Sequence, residues 1–259
     1  MIRRDALRWL AGMAALGALP IRATQAESRP RLTLIIDDLG QTPARDQQIL
    51  ELPGPVVMSI LPDTPHATEL SRKAYRAGKQ ILLHLPMDPA GGPFAWHPGM
   101  PIPELEKRLN AALNAVPGAE GINNHMGSRM TSQREAMAWL MQDLQRRHLF
   151  FVDSRTSSAT VAAAEAQRAG LASLSRDVFL DDDMHPEAIA KQYAYGLALA
   201  RKQGSVVMIG HPHPATISVL QRELPRLKEQ GIDWISADMM IAVRHNLAMP
   251  AHGMNGRYR

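Results

Sequence analysis

Cysteine is absent from this 259-residue chain, which excludes disulfides, thiolate zinc sites, a cysteine nucleophile and lipidation at a thiol. Any metal must therefore be held by nitrogen and oxygen. Aromatic residues are scarce, four each of Phe, Trp and Tyr, so little flat surface remains for stacking on sugars or bases once a core is filled. A strong charge of one sign is missing as well. The formal net charge is +4, but residues 1–26 hold Arg3, Arg4, Arg8 and Arg22 against Asp5 alone, leaving about +1 for the remainder. A phosphate-binding surface is not required, and nucleic acid is not an expected partner. With 45% hydrophobic and 21% charged residues, the composition is globular rather than disordered, fibrous or multi-span membrane.

The front segment combines a positive start, an apolar run from Trp9 to Leu19 and small residues in Ala23-Thr24-Gln25-Ala26. That run is about 11 residues, short of the about 20 that a helix needs to cross a bilayer, so residues 1–26 read as a removable secretory signal with no stable membrane insertion after cleavage. Arg3-Arg4-Asp5-Ala6-Leu7 also resembles a twin-arginine start, an alternative to ordinary Sec export. Export without cysteine suits a bacterial periplasm or secretion, where a large core replaces disulfides.

From Arg31 onward, short runs rich in Val, Ile and Leu alternate with longer amphipathic stretches. Strands are expected near 32–37, 56–60, 80–84, 120–125, 149–153, 172–175, 205–210 and 232–236. Helices are expected near 43–51, 65–77, 103–115, 131–147, 159–169, 185–203 and 214–230. The spacing fits successive βα units rather than hairpins. It predicts a single α/β domain over 27–246, with 247–259 as a flexible tail lacking periodicity. The stretch Pro86 to Gly99 is too rich in Pro and Gly for a helix and carries Phe94 and Trp96. It reads as a substrate lip or plain coil, with these two aromatics the natural sugar-stacking candidates.

In parallel β/α architectures chemistry gathers beyond the carboxyl ends of the strands. Five apolar runs here end in Asp or His: Asp37-Asp38, His84, Asn123-Asn124-His125, Asp153-Ser154 and His211-Pro212-His213. Any one alone reads as a turn, cap or satisfied core residue. Together, carboxylates and imidazoles meeting at one rim need a cation or substrate to organise them. Asp181-Asp182-Asp183, ahead of a helical pattern, reads as an acidic cluster favourable to the helix dipole. His97, His148, His185, His245 and His252 have no strand-end context and are left outside the site. No G-x-S-x-G elbow surrounds Ser128 or Ser154, which disfavours a serine hydrolase.

These segments resemble the divergent polysaccharide deacetylases, YibQ-like exported proteins distantly related to NodB-type carbohydrate esterases. The carriers are Leu34-Ile35-Ile36-Asp37-Asp38-Leu39-Gly40, Ser59-Ile60-Leu61-Pro62, His84-Leu85-Pro86-Met87-Asp88-Pro89, Asn123-Asn124-His125-Met126-Gly127-Ser128, Val152-Asp153-Ser154-Arg155-Thr156 and Gly210-His211-Pro212-His213. The resemblance implies a distorted β/α barrel of seven to eight mostly parallel strands. It further implies metal-dependent removal of N-acetyl groups from a polysaccharide. Carried over by position, Asp37 becomes the general base and Asp38 a ligand to a divalent cation, zinc by expectation. The family's H-x-x-x-H motif is altered, because Asp88 stands four residues after His84. The ligand set expected from the resemblance is Asp38, His84 and His125, with Asp88 as a supporting partner or the alternative third ligand.

In that scheme His211 protonates the departing amine, amide groups near Gly127-Ser128 help hold the oxyanion, and Asn124, Ser128, Asp153, His213 and Trp96 bind substrate or support the ligands. Three rival readings use the same sequence: another metal hydrolase such as a phosphoesterase, a two-carboxylate glycosidase working without metal, and an envelope glycan- or protein-binding protein that keeps the fold without turnover.

Overall fold

The apolar runs become parallel strands of one curled sheet. This computed structural model describes residues 29–248; the expected signal segment 1–26 and nearly all of the expected tail 247–259 lie outside the described residues. The strands are β1 (Arg31–Leu39), β2 (Val57–Ile60), β3 (Ile81–Met87), β4 (Gly121–Met126), β5 (Phe150–Asp153), β6 (Ser173–Ser175), β7 (Val178–Phe179), β8 (Ser205–Gly210) and β9 (Asp233–Trp234). Their order is β6-β5-β4-β3-β2-β1-β8-β7, with β9 beside the start of β1, and every pairing is parallel. The result is a half-barrel whose two ends, β6 and β7, are joined through Arg176 and Asp177 alone. This agrees with the expected distorted β/α barrel.

The helices are α1 (Pro43–Leu50), α2 (Ala67–Arg76), α3 (Ile102–Ala115), α4 (Arg134–Arg146), α5 (Ala162–Ala169), α6 (Pro186–Gln203), α7 (Pro214–Glu223) and α8 (Ala237–Ala248). Proline sits at the first turn of α1, α6 and α7, where a missing N–H costs nothing, and α6 stops at Gly204 with φ 87°. None of the helices among the described residues is long and apolar enough to cross a membrane.

Three features depart from expectation. β7 is only two residues long, too short for any periodic signal. The helix expected over 214–230 ends at Glu223 and continues as a 3₁₀ turn, Leu224–Arg226, because Pro225 cannot extend α7. α8 was not expected at all. Its Ala237 and Met240 fill the hollow of the sheet, fully buried against Ile35, Val57, Leu82 and Val207, while Asp238, Met239 and Ala242 are exposed, so a polar residue and apolar ones share its outer face and no clean stripe marks the helix in the sequence.

Strand alternation divides the interior in two. Leu34, Ile36, Leu83, Leu85, Ile122, Phe151 and Met208 face the outer helices. Their neighbours Ile35, Leu82, Val152 and Ile209 face the hollow. Continuing each alternation to the strand ends sends Asp37, Ser59, His84, Asn123, His125, Ser154 and His211 toward the hollow's upper rim. Below them α8 closes the hollow with apolar side chains.

Candidate active site and metal centre

Two consecutive aspartates on a regular strand would point to opposite faces, so the sheet must bend to use both. It does so between Ile36 and Leu39, where the register with β2 slips and two steps of β2 span three of β1. Asp38 occupies this bulge with φ 58°. Met126 (φ 52°) and Arg155 (φ 50°) adopt the same left-handed backbone at the ends of β4 and β5. Such conformations cost about 1–3 kcal/mol each in non-glycine residues, and three of the four among the described residues flank one mouth.

The bulge brings Asp38 Oδ1 within 3.2 Å of His84 Nε2 and 2.9 Å of His125 Nδ1, while the two ring nitrogens lie 3.2 Å apart. Asp38 Oδ1 is buried yet receives no well-aligned hydrogen bond. His84 is 2% exposed. Three lone-pair donors thus converge on one point, an arrangement that a cation resolves. Ligands about 2.0–2.1 Å from a tetrahedral zinc stand roughly 3.3 Å from each other, so this triangle fits a three-ligand face with a further position left for water. Burial would raise the Asp38 pKa, but the His125 and His84 rings hold it well below the usual carboxylate range. At His84, burial opposes a charged ring and the carboxylates of Asp37 and Asp38 outweigh it, raising its pKa.

Asp37 is 2% exposed and its Oδ2 lies 3.7 Å from His84 Nε2. Its other oxygen accepts a hydrogen bond from Asn123 Nδ2 at 2.8 Å. On the opposite side, His211 Nε2 comes within 4.0 Å of Asp38 Oδ2. The His211 Nδ1–H donates to Asp181 Oδ1 at 2.9 Å, and Asp181 Oδ2 accepts from the His211 backbone N–H and from Thr216 Oγ1, each at 2.7 Å. Burial lowers the tendency of His211 to charge, but Asp181, helped by Asp37 and Asp38, pushes its pKa up to about 9. Its imidazole is therefore a proton donor at neutral pH.

Within the acidic cluster at 181–183, Asp183 does stand at the start of α6, accepting the His185 N–H at 3.0 Å, but Asp181 corrects the sequence reading. Asp181 is 4% exposed and serves His211 rather than the dipole of α6. Its signal was position: it follows Val178-Phe179-Leu180, a run ending in a carboxylate like the others but too short to stand out. Asn123, fully buried, is absent from the expected site residues because an asparagine at a strand end reads as a turn or cap residue. Arg176 was missed too; its guanidinium donates to the carbonyls of Ser154 (2.6 Å) and Arg155 (2.8 Å), and stacks 4.8 Å from the centre of Phe179, which in turn lies 5.2 Å from the His211 ring.

The other expected site residues make contacts of their own around this centre. Asp88 is held by Arg129 Nε (2.5 Å) and by His97 Nδ1 (2.9 Å), so it stands outside the Asp38–His84–His125 group, and His97 enters as its partner. Asn124 clamps two loops, donating to the Met126 carbonyl and accepting from the Ser154 N–H. Asp153, on the convex side of β5, caps its own loop through the Arg155 N–H and Thr160 hydroxyl. Ser128 is half-buried next to Gly127. His213 precedes α7 with its ring 5.8 Å from that of His211, and Asp181, His211 and His213 form a second cluster of close donors. Trp96 cannot stack on sugar: it is fully buried, packed 5.9 Å from Trp139, and pinned through its own N–H and carbonyl to Pro86 and Asp88. Phe94 also packs against the core. A cleft of about 490 Å³ opens beside His125 and Met126, walled by Gln41, Leu61, Asp63 and Pro86; no Phe, Trp or Tyr lines it.

Comparison with known proteins gives one family and a consistent set of folds. Residues 34–241 match the family described as divergent polysaccharide deacetylase. An uncharacterized protein of Escherichia coli K12, YibQ, is 43% identical over 196 residues, covering 74% of this chain and 61% of the relative. This chain thus spans about three-fifths of that relative's length. A crystal structure of an uncharacterized protein from Agrobacterium tumefaciens C58 superposes with a TM-score of 0.79 at 21% identity, covering 83% of this chain and 90% of that one. The catalytic domain of a peptidoglycan N-acetylglucosamine deacetylase from Eubacterium rectale superposes with a TM-score of 0.53 at 11% identity, over 81% of this chain and 89% of that one. At these identities the structural likeness is one of fold.

Proposed function

This chain belongs to the divergent polysaccharide deacetylase family, and from that premise we propose that it is an exported, metal-dependent hydrolase removing N-acetyl groups from a cell-envelope glycan containing N-acetylglucosamine. The observation that carries the reading is the convergence of Asp38 Oδ1, His84 Nε2 and His125 Nδ1 at 2.9–3.2 Å, flanked by Asp37 and His211. These three residues would hold the ion. Zinc suits a donor set of two imidazoles and one carboxylate; when bound it polarises the acetamide carbonyl and acidifies a water.

The chain's own residues supply the rest. Asp37 accepts a proton from the water as its oxygen adds to the acetyl carbon. His211 donates its Nε2 proton to the sugar nitrogen as the C–N bond breaks, giving free amine and acetate without a covalent enzyme intermediate. Asp181 holds the His211 ring with Nε2 turned to the mouth. The cleft beside Met126 offers polar and aliphatic walls, so sugar would be gripped by hydrogen bonds and edges rather than by stacking. Export rests on the signal-like residues 1–26.

The test is acetate release by the zinc-loaded mature domain from N-acetylglucosamine oligomers and from peptidoglycan. Release that disappears on chelation and in His84→Ala supports the reading. Zinc binding without release from any glycan would instead support a binding protein, cleavage confined to phosphate esters a phosphoesterase, and glycan cleavage surviving chelation a glycosidase.

A further inference from the structure

We propose that Asn123 is the positioning residue of this site: its single side-chain amide fixes which imidazole nitrogen His84 turns to the cation and, at the same time, where Asp37 points. The inference rests on the metal centre proposed above, and its logic is one of donors and acceptors.

One end of the Asn123 amide faces Asp37 Oδ1 at 2.8 Å and Ser154 Oγ at 3.2 Å. A carboxylate only accepts, so that end is the NH₂. The other end is then the oxygen, and it meets Ser59 Oγ at 2.6 Å and His84 Nδ1 at 2.8 Å. Both of these must donate. His84 therefore carries its proton on Nδ1, leaving the lone pair of Nε2 free, 3.2 Å from Asp38 Oδ1 and from His125 Nδ1.

A flipped amide would set oxygen against the Asp37 carboxylate. It would also turn its NH₂ to the imidazole, forcing the histidine proton onto Nε2, where no metal could bind. Asn123 and Ser59 are fully buried, and Asp37 and His84 are each 2% exposed, so water cannot substitute for a lost partner. The backbone adds to the constraint, since His84 and Asn123 are direct register partners between β3 and β4. Orienting contacts of this kind behind a metal-bound histidine are commonly worth about 10–100-fold in metal affinity.

Two substitutions separate the two duties. Asn123→Asp keeps an acceptor for Ser59 and His84 but sets a second carboxyl against Asp37, so that the two share one proton and Asp37 is no longer a free base. Asn123→Leu removes both contacts. Zinc affinity, measured by competition with a chelator, is expected to stay within about threefold of wild type for Asn123→Asp and to fall about 10–100-fold for Asn123→Leu. For Asn123→Asp, kcat for acetate release is expected to fall by about 10²-fold with KM little changed. A long-range ¹H–¹⁵N spectrum of the zinc-loaded wild type should place the His84 proton on Nδ1.

A proton on Nε2, an Asp variant that loses zinc as severely as the Leu variant, or a Leu variant that binds zinc like wild type would overturn the inference. If the Leu variant does not fold, the wild-type spectrum and the zinc affinity of the Asp variant decide. If no glycan is deacetylated by wild type, the deacetylase reading fails, while the spectrum and the affinities still decide the role of Asn123.

Discussion

Asp181 Oδ1 lies 2.9 Å from His211 Nδ1 in a buried pocket where the same carboxylate also takes the His211 backbone N–H. Burial alone would discharge the ring; the carboxylate reverses that and sets the His211 pKa at about 9, above the ordinary 6.5. An imidazolium acid loses its proton as pH rises through its pKa. Deacetylation is therefore expected to hold through neutral pH and to fall as pH approaches about 9, or somewhat lower with a cation nearby. Asp181→Asn should bring this alkaline limb down toward 6.5 and cut kcat at neutral pH by about 10²-fold.

The same pair also links stability to pH. A histidine whose folded pKa exceeds its unfolded value contributes stability fully present below about 6.5 and lost as pH rises through about 9. The stability gap between metal-free wild type and Asp181→Asn, read by urea unfolding, should therefore be wide at pH 6 and narrow by pH 9.5. A gap that widens with pH would contradict the assigned direction.

The altered second motif gives a sharper prediction. Asp88 is four residues past His84, yet it is turned to Arg129 and His97, while His125 arrives from the neighbouring strand beside His84. Asp88→Ala should keep about one equivalent of zinc, while His125→Ala should lose it, as read by metal analysis of dialysed protein. Placing histidine at 88 should not rescue His125→Ala, because that position is aimed at the loop carrying Arg129.

Much of this was legible because alternation is strict. Ile35 and Asp37, Leu82 and His84, Val207, Ile209 and His211 each share a parity, and once Ile35, Leu82 and Val207 are assigned to the hollow the polar residues follow. What parity could not show was bent backbone. The bulge that lets Asp38 join Asp37, and the short links that bring Asp181 under His211, depend on register slips and two-residue strands that carry no periodic signal. α8 escaped notice for the opposite reason, since its buried residues look like a tail of mixed character until the hollow they fill is known. Trp96 misled because an aromatic in a Pro- and Gly-rich loop usually lies at the surface, whereas here that loop folds back and lays Trp96 beside Met87.

Trp96 should therefore report on stability. Trp96→Ala empties a fully buried position against Trp139 and is expected to cost about 3–5 kcal/mol, which lowers the melting temperature by roughly 10 °C for a domain of this size. The milder Trp96→Phe should bind N-acetylglucosamine oligomers as wild type does. Loss of glycan affinity in a well-folded Trp96→Phe protein would return this residue to the substrate surface.

Zinc itself provides the most direct thermodynamic check. The folded protein already gathers Asp38, His84 and His125 within 2.9–3.2 Å of one another, and the unfolded chain has no such triangle to offer. Binding is then confined to the folded state, and stability rises with the logarithm of free zinc, by about 2.7 kcal/mol at a hundredfold excess over Kd. For a chain of this length that corresponds to roughly 5–10 °C in melting temperature. His84→Ala should start lower, because Asn123 Oδ1 and Asp38 lose a buried neighbour, and should show no upward shift with zinc. Asp88→Ala should also start lower, with Arg129 and His97 released, yet retain the full shift. A wild-type melting temperature indifferent to zinc over that range would remove the metal centre and leave Asp38 to its ion pairs with the two imidazoles.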